Sequence, residues 1–378
     1  MSGDWTTGKS EGNTAIGNLA MAGAMNDCNS NVAVGQTALG SLTLGDANTA
    51  IGYGALTSGT TSTENTVVGY VAGDALIGGG SNTIVGAHAG GQTTAVGKTV
   101  IIGAEAGESV MTTDAIGTVA VGYEALKSLT AGDANTAVGH TSLKTCATGT
   151  NNTALGFNTL SSATGVGNTA LGATAGGSVS DGTHNIFIGY ASGNHNINFT
   201  TGDHCVLIGS LADTSSNSAQ NQNVLGYNVG GSGNDTFTFG SGTDDTTCTN
   251  GGTTWSAPSD IRLKEDIQDE VVGMDFINEL RPVTFRWKKA KDIPEELVTY
   301  SEGSEKRVMN GKYNHGFIAQ EVKQAIDNQP EIKDGFDMWR EDDIDGRQRI
   351  GESALIPILV KAVQELSQQV EELKAKVN

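Results

Sequence analysis

The stretch Asn48-Thr49-Ala50-Ile51-Gly52 decides the fold of the first two thirds of this chain, because it recurs there in closely related form. Eight of the twelve intervals between successive copies are 17 residues long. A short, fixed period of this kind is typical of a solenoid, in which each repeat packs on its neighbours. We count 13 copies by their closing glycines, which are Gly17, Gly35, Gly52, Gly69, Gly86, Gly103, Gly122, Gly139, Gly156, Gly172, Gly189, Gly209 and Gly226.

Each repeat has room for two short β-strands and two turns. The Thr-Ala-Ile part of the motif favours a strand, and a second stretch follows, as in Thr37-Ala38-Leu39. Glycine recurs in every unit and disfavours helix. Alternation along a strand puts the second and fourth motif residues on one face and the small third residue on the other. The sequence leaves open which face lines the inside of the coil.

Composition separates this repetitive part from the end of the chain. All five prolines lie at Pro258 or later, and residues 1–258 contain only 4 of the 22 basic residues. We therefore predict an N-terminal attachment segment at 1–12, a β-solenoid at 13–230, a Gly/Ser/Thr-rich connector at 231–258 and a C-terminal domain at 259–378. Thin coils bury little surface per chain, so we expect a homotrimer to supply the missing core.

The charge and the apolar pattern exclude several functions. The net charge of −20 and the scarcity of basic residues argue against nucleic-acid binding. Since no apolar run approaches ~20 residues, we expect no membrane insertion. The beginning of the sequence lacks a signal-peptide pattern, which predicts assembly in a host cytoplasm. The four cysteines are scattered without zinc or disulfide spacing, so we expect free thiols, no metal and no cofactor.

An aromatic residue often follows the motif glycine, and neighbouring coils would stack these rings into ladders. The ladder is either a platform for a host glycan or a structural filling of a turn or subunit seam, and repeat packing by itself favours the latter. The longest insertion between two copies, with His195 and Phe199, predicts a surface loop, with receptor contact as the second reading. The candidate binding ladder is Tyr53, Tyr70, Tyr123, Phe157, Tyr190 and Tyr227.

The end of the chain reads as a helix over 353–377. Its apolar residues are spaced by 4, 3, 4, 4, 3 and 4, which is close to a heptad seam with one extra residue. A coiled coil and a helix packed on its own domain are both compatible with this pattern. The seam residues are Leu355, Leu359, Ala362, Leu366, Val370, Leu373 and Val377.

Four separated segments carry a resemblance to a known family. They are Ser259–Ile267, then Leu280–Trp287 with His315–Val322, and finally Leu355–Leu366. The end of the chain resembles the intramolecular chaperone domain of phage endosialidases, tailspikes and neck appendages. The repeats are similar to β-roll heads of trimeric autotransporter adhesins and to shafts of phage tail fibres. The resemblance implies a mostly β, trimeric β-solenoid or β-roll shaft followed by a small α+β chaperone domain that ends in a trimeric coiled-coil helix.

The resemblance also implies chemistry at the opening segment. Members of this family cut their own chain between a serine and an aspartate with a serine-lysine dyad. The matching residues are Ser259 as nucleophile and Lys264 as base, with the cut between Ser259 and Asp260. A serine needs such a base, and a lysine serves only where burial or a nearby cation favours its neutral form. Arg262 is either that cation or a partner of Asp260, and in the simplest alternative Ser259-Asp260 only caps the next element.

These observations predict a phage tail fibre or spike in the virion that attaches to a host glycan or protein receptor. Its partners would be two further copies of the chain and tail or baseplate proteins. The chaperone would drive trimerisation and then be released by a single self-cleavage, without enzymatic turnover. The alternatives are a bacterial trimeric surface adhesin and a polysaccharide-degrading tailspike, although no carboxylate pair for glycoside hydrolysis stands out.

Overall fold

The structure is a computed structural model that describes residues 9–112, 115–332 and 336–377. It forms two compact units, Met1–Ser259 and Asp260–Asn378. Most of the predicted attachment segment, residues 1–8, lies outside the described residues.

The first unit is a β-solenoid with one short strand in each repeat. The strands pair in parallel in chain order, and equivalent motif residues lie side by side, as Ala33 does with Ala50. The 13 predicted repeats are thus confirmed as 13 stacked strands. These are β1 Thr14–Ile16, β2 Val32–Val34, β3 Thr49–Ile51, β4 Thr66–Val68, β5 Thr83–Val85, β6 Val100–Ile102, β7 Val119–Val121, β8 Thr136–Val138, β9 Thr153–Leu155, β10 Thr169–Leu171, β11 Ile186–Ile188, β12 Val206–Ile208 and β13 Asn223–Tyr227.

The second stretch of each repeat is a turn, and the prediction of a second strand there was wrong. In the coil after β2, Thr37 and Leu39 have φ of 58° and 50°, which is the left-handed region. This conformation is unfavourable for side chains with a Cβ. It is held because the Leu39 N–H donates to the Ala55 carbonyl of the next coil at 3.1 Å. The chain therefore reverses at these positions while its backbone still bonds to the neighbouring coil.

The motif glycine is required by the close stacking of the coils. Gly52 has φ of 135°, and a Cβ built on it would lie 2.2 Å from the carbonyl oxygen of Gly69 in the next coil. Both the left-handed backbone and this contact exclude any other residue without a local shift. The recurrence of glycine at the end of the motif follows directly from this geometry.

The small third residue of the motif lines the inside of the solenoid. Ala50, Val67 and Ile84 are fully buried at this position in consecutive coils. The branched second and fourth residues face outward, and Ile16 and Leu155 are among those that are exposed. The structure therefore settles which face is inside.

Asparagines at the start of the motif form a buried ladder beside this core. The Asn48 backbone N–H and Nδ2 both donate to Asn31 Oδ1 at 3.0 Å, and Asn48 Nδ2 also donates to the Ser62 carbonyl at 2.7 Å. The same pattern continues at Asn65 and Asn82. Each amide is satisfied by the coils on both sides, so the ladder ties successive coils together.

The solenoid ends in a hairpin. β14 Thr236–Ser241 pairs in parallel with β13, and β15 Asp244–Thr249 then pairs with β14 in the antiparallel direction. This last strand begins with two aspartates, Asp244 and Asp245.

The second unit is a small α+β module. Its helices are α1 Met274–Glu279, α2 Ala319–Asp327 and α3 Leu355–Val377. Its two antiparallel pairs are β16 Val283–Phe285 with β17 Asn314–Gly316, and β18 Trp339–Glu341 with β19 Gln348–Ile350. The buried core combines residues of all three helices with two residues outside them, Val272 and Met338. The helical members are Phe276, Val322, Ala325, Ile326, Leu355 and Ile358.

Candidate functional site

The proposed cleavage junction begins the second unit with a short capped turn. Ile261–Leu263 form a 3-10 turn, and the Asp260 carboxylate caps it by accepting from the Arg262 backbone N–H at 2.9 Å. The Arg262 guanidinium also pairs with Asp260, at 3.0 Å from Nε to Oδ1. This pairing lowers the pKa of Asp260 and raises that of Arg262. The capping role foreseen for Asp260 is therefore present, and Arg262 takes Asp260 as its partner.

The two proposed catalytic side chains, Ser259 and Lys264, lie on either side of this turn. Both are exposed to solvent. The Lys264 backbone N–H donates to the Ile261 carbonyl at 3.2 Å, which closes the turn.

Helix α3 has two apolar faces. One packs on the module itself, and the other is exposed, as expected for a helix that joins a coiled coil. Leu355, Ile358 and Ala362 are buried within the second unit, and the Glu365 carboxylate accepts from the Met274 backbone N–H of α1 at 2.9 Å. The predicted seam was therefore wrong in including Leu355 and Ala362. They face the domain because the first turns of α3 pack against α1.

A neighbouring face of α3 carries an uninterrupted heptad stripe of exposed apolar residues. Exposed apolar residues recur at spacings of 3, 4, 3, 4, 3 and 4, once Ile356 takes the place assigned to Leu355 and Val363 takes the place assigned to Ala362. These two replacements remove the extra residue from the predicted seam. The stripe consists of Ile356, Leu359, Val363, Leu366, Val370, Leu373 and Val377, which are 40% to 87% exposed. A stripe of this length is typical of a helix that packs against further helices.

The solenoid carries the predicted aromatic ladder in two runs on its outer surface. The rings of Tyr53 and Tyr70 stack with centroids 5.4 Å apart. In the second run His140 lies between Tyr123 and Phe157, at 5.1 and 5.3 Å. All of these rings are exposed, as are Tyr190 and Tyr227.

The insertion between β11 and β12 was predicted to be a surface loop, but one of its two candidate binding residues, Phe199, is not at the surface. Phe199 is fully buried and packs edge-on against Phe187 at 5.5 Å, so its side chain fills the widened coil. His195 is exposed at the tip. The loop is held by the buried Asp213 carboxylate, which accepts from the Asn196 and Ile197 backbone N–H groups at 2.7 Å. Burial raises the pKa of Asp213 despite these bonds.

The described residues contain neither a candidate membrane span nor a candidate metal site. None of the helices within 9–112, 115–332 and 336–377 is long and apolar enough to cross a membrane. Over the same ranges, no group of three or more His, Cys, Asp or Glu side chains is arranged to hold a metal ion. All four cysteines are buried free thiols.

A family model described as chaperone of endosialidase matches residues 259–331. The β-solenoid and this match fit a tail fibre with a C-terminal chaperone domain. The last resembling segment, Leu355–Leu366, lies beyond the matched range. Comparison with curated proteins and with solved structures found no match.

Sequence reasoning missed two features of the molecule. The buried asparagine ladder had a signal, since asparagine precedes the strand in most repeats. The other is a cleft of about 1190 Å³ in the second unit, which brings together aromatic and basic residues from 285 to 352. No motif marks this cleft, because its lining comes from four separate strands, the start of α2 and several loops.

Proposed function

We propose that the chain is a tail-fibre or spike subunit of a phage virion, assembled in a host cytoplasm. Its solenoid attaches the particle to a glycan or protein receptor on the host surface. Its C-terminal module acts as an intramolecular chaperone that brings three copies together and then cuts itself off between Ser259 and Asp260. Tail or baseplate proteins are the expected partners at the other end of the fibre.

The observation that carries this proposal is the position of the junction. The boundary between the two compact units falls between Ser259 and Asp260, and the family match begins at Ser259. The last strand of the solenoid ends at Thr249, and the first helix of the module begins at Met274. A cut at this bond would therefore separate the two units without breaking any helix or sheet strand.

The chemistry of the cut is hydrolysis of one peptide bond. Ser259 supplies the nucleophilic hydroxyl, and the Lys264 amine accepts its proton. One water is consumed, and the products are a new carboxylate on Ser259 and a new amine on Asp260. Because Lys264 is exposed in the single chain, the water exclusion that favours a neutral amine has to come from assembly. The cut would then report that copies have joined correctly.

Two exposed apolar surfaces support association of several copies. One is the heptad stripe of α3, and the other is the outward face of the solenoid strands, with Ile51, Leu155 and Leu225. In the stripe, β-branched residues alternate with leucine, a pattern that by itself favours two helices. Because the stripe alone does not favour three helices, we propose that the rest of the module and the solenoid together determine the trimeric state. The exposed aromatic runs are the proposed glycan contact.

The decisive experiment compares freshly expressed wild type with Ser259→Ala and Lys264→Ala. We expect two fragments that divide after Ser259 in wild type and an intact chain in both variants, by intact-mass analysis. Native mass spectrometry of the same samples should show trimers in all three. Ser256→Ala and Lys312→Ala are matched controls, which should cleave like wild type.

Other outcomes would revise the proposal in different ways. An intact wild-type trimer would mean that the module is retained as a trimerisation cap. Cleavage in Lys264→Ala would show that Lys264 is not the base and would rule out the serine-lysine dyad. A monomeric wild type would contradict the chaperone role itself.

A further inference from the structure

The segment that follows the capped turn lacks cover in the single chain. Residues 264–273 have no helix or strand, and residues 261–271 are all exposed. Four of these eleven residues are large and apolar, namely Ile261, Leu263, Ile267 and Val271, with 63% to 71% of their surface exposed. Such a concentration of exposed apolar side chains marks a surface that another molecule covers.

The same segment is strongly acidic. Residues 265–271 contain four carboxylates and no basic residue, and they are Glu265, Asp266, Asp269 and Glu270. Glu270 accepts from the Val272 backbone N–H at 2.8 Å. Among the described residues, no ion pair involves the other three carboxylates. A partner for this segment must therefore combine apolar surface with positive charge.

The cleft of the second unit has this combination. Trp287, Phe317 and Trp339 contribute aromatic surface, and Lys288 and Arg340 contribute cations. Within the described part of the chain, neither cation has an ion-pair partner, whereas Arg347 and Arg349 are paired with Asp345 and Asp342. Two carboxylates, Asp337 and Glu352, also line the cleft, so the positive charge available to an acidic segment includes Lys288 and Arg340.

We propose that the cleft of one copy receives residues 265–271 of a second copy. Ile267 and Val271 would pack on the aromatic side chains, while the carboxylates would meet Lys288 and Arg340. Seven extended residues span at most about 25 Å. A cleft of about 1190 Å³ has room for several of their side chains.

The occupant is a second copy because the single chain leaves both surfaces uncovered, although they lie in the same compact unit. The contact is heterologous, since a segment meets a cleft and not another segment. Head-to-tail contacts of this kind close into rings when the rotation is right. The inference thus rests on the proposed homotrimer, in which three such contacts close one ring.

This contact would connect assembly to the cut. Lys264 directly precedes the docked residues, and Ser259 lies five residues before Lys264. Fixing 265–271 in a neighbour's cleft would fix the position of the Lys264 amine and shield it from water. Each copy would then complete the cleavage site of another.

The test uses photo-crosslinking in the full-length chain. One chain carries p-benzoylphenylalanine in place of Ile267, and a differently tagged, co-expressed chain carries the conservative mark Lys288→Arg. Complexes that contain both tags are purified, irradiated, digested and analysed by mass spectrometry. We expect crosslinked peptides that contain the marked cleft. The matched control places the photoreactive residue at Ile344, which is 83% exposed and does not line the cleft, and it should not label the marked cleft.

The outcomes separate this inference from the proposed function. Trimers by native mass spectrometry without a crosslink to any cleft would overturn the docking and leave the trimer standing. Crosslinks only to unmarked clefts would show that the segment folds back on its own chain, which also overturns it. If the chain is monomeric, the proposed function fails together with the inference.

A charge exchange gives a second, independent measurement. Asp266→Lys with Asp269→Lys should lower the fraction of trimer and of cleaved chain at least several-fold, and adding Lys288→Glu with Arg340→Glu should restore both. Asp343→Lys, an exposed acidic position outside the segment and the cleft, serves as the control. Full trimer and full cleavage in the first variant would contradict the docking.

Discussion

At the scale of single residues, the asparagine ladder is the feature that most directly relates sequence to stability. The ladder position is occupied by threonine in two successive coils, Thr99 and Thr118. Thr99 Oγ1 still donates to Asn82 Oδ1 at 2.8 Å. Thr118 Oγ1 is the one buried side-chain polar atom in the described residues that lacks a hydrogen-bond partner. A buried unsatisfied hydroxyl costs about 1–3 kcal/mol.

We predict that Thr118→Asn stabilises the solenoid. An amide at this position could accept from Asn135, as Asn135 Oδ1 itself accepts from the Asn152 backbone N–H at 3.0 Å. The expected gain is about 1 kcal/mol in the free energy of unfolding, measured by chemical denaturation. Thr136→Asn, on the outer face of β8, is the matched control and should give no gain. A destabilised Thr118→Asn variant would contradict this account of the ladder.

The sequence predicted the repeats of the solenoid, but not how the residues of each repeat are oriented. The period and the glycine at its end were enough to predict the coils and their number. The orientation of Ala50 was not, because an alternating pattern is the same for either face of a strand. The left-handed conformation of Leu39 carries no signal either, since leucine rarely adopts it and only the bonds of the neighbouring coil hold it there.

At the scale of secondary-structure elements, α3 shows why its seam was predicted only in part. The apolar residues of its first half serve two faces at once, so the sequence pattern merges a domain contact with an exposed stripe. Only the packing of α1 against α3 separates Ala362 from Val363. The second half of the helix has a single apolar face, and there the predicted residues stand.

We predict that Leu366→Glu in the exposed stripe weakens association without unfolding the module. Leu366 is half exposed, so a charge there is tolerated in the single chain but would be buried between helices. Native mass spectrometry should show at least a tenfold rise in free chain at equal concentration, with unchanged helix content by circular dichroism.

The control for this variant is Gln364→Glu, two residues away and exposed on another face of α3. It adds the same charge and should leave association unchanged. Equal association in Leu366→Glu and wild type would contradict a helical interface along this stripe.

At the scale of the whole molecule, the two units have separate hydrophobic cores. Among the described residues, the core of the solenoid and the core of the module share no member. The solenoid core is a continuous row of mostly small side chains, whereas the module is built around Phe276. We therefore expect each unit to unfold with its own free energy, independently of the other.

We predict two thermal transitions in the calorimetry of the uncleaved Ser259→Ala chain. Gly52→Ala should lower only the solenoid transition, because its Cβ would clash with the Gly69 carbonyl. Phe276→Ala should lower only the module transition, by about 3–5 kcal/mol in unfolding free energy. Gly242→Ala, a left-handed glycine of the first unit with open space around it, is the matched control for Gly52→Ala and should lower the solenoid transition less. A single transition that moves with both variants would contradict the division.

The hairpin of β14 and β15 has a consequence for how solutions of this protein behave. A parallel stack of identical coils presents at its end the same row of backbone donors and acceptors that each coil offers to the next, which is a template for open-ended fibril growth. Here the last strand runs in the opposite direction and begins with Asp244 and Asp245. The reversed polarity and the repelling charges deny another molecule a matching surface. At this end of the stack, the direction of β15 and its two aspartates therefore oppose the addition of a further parallel coil.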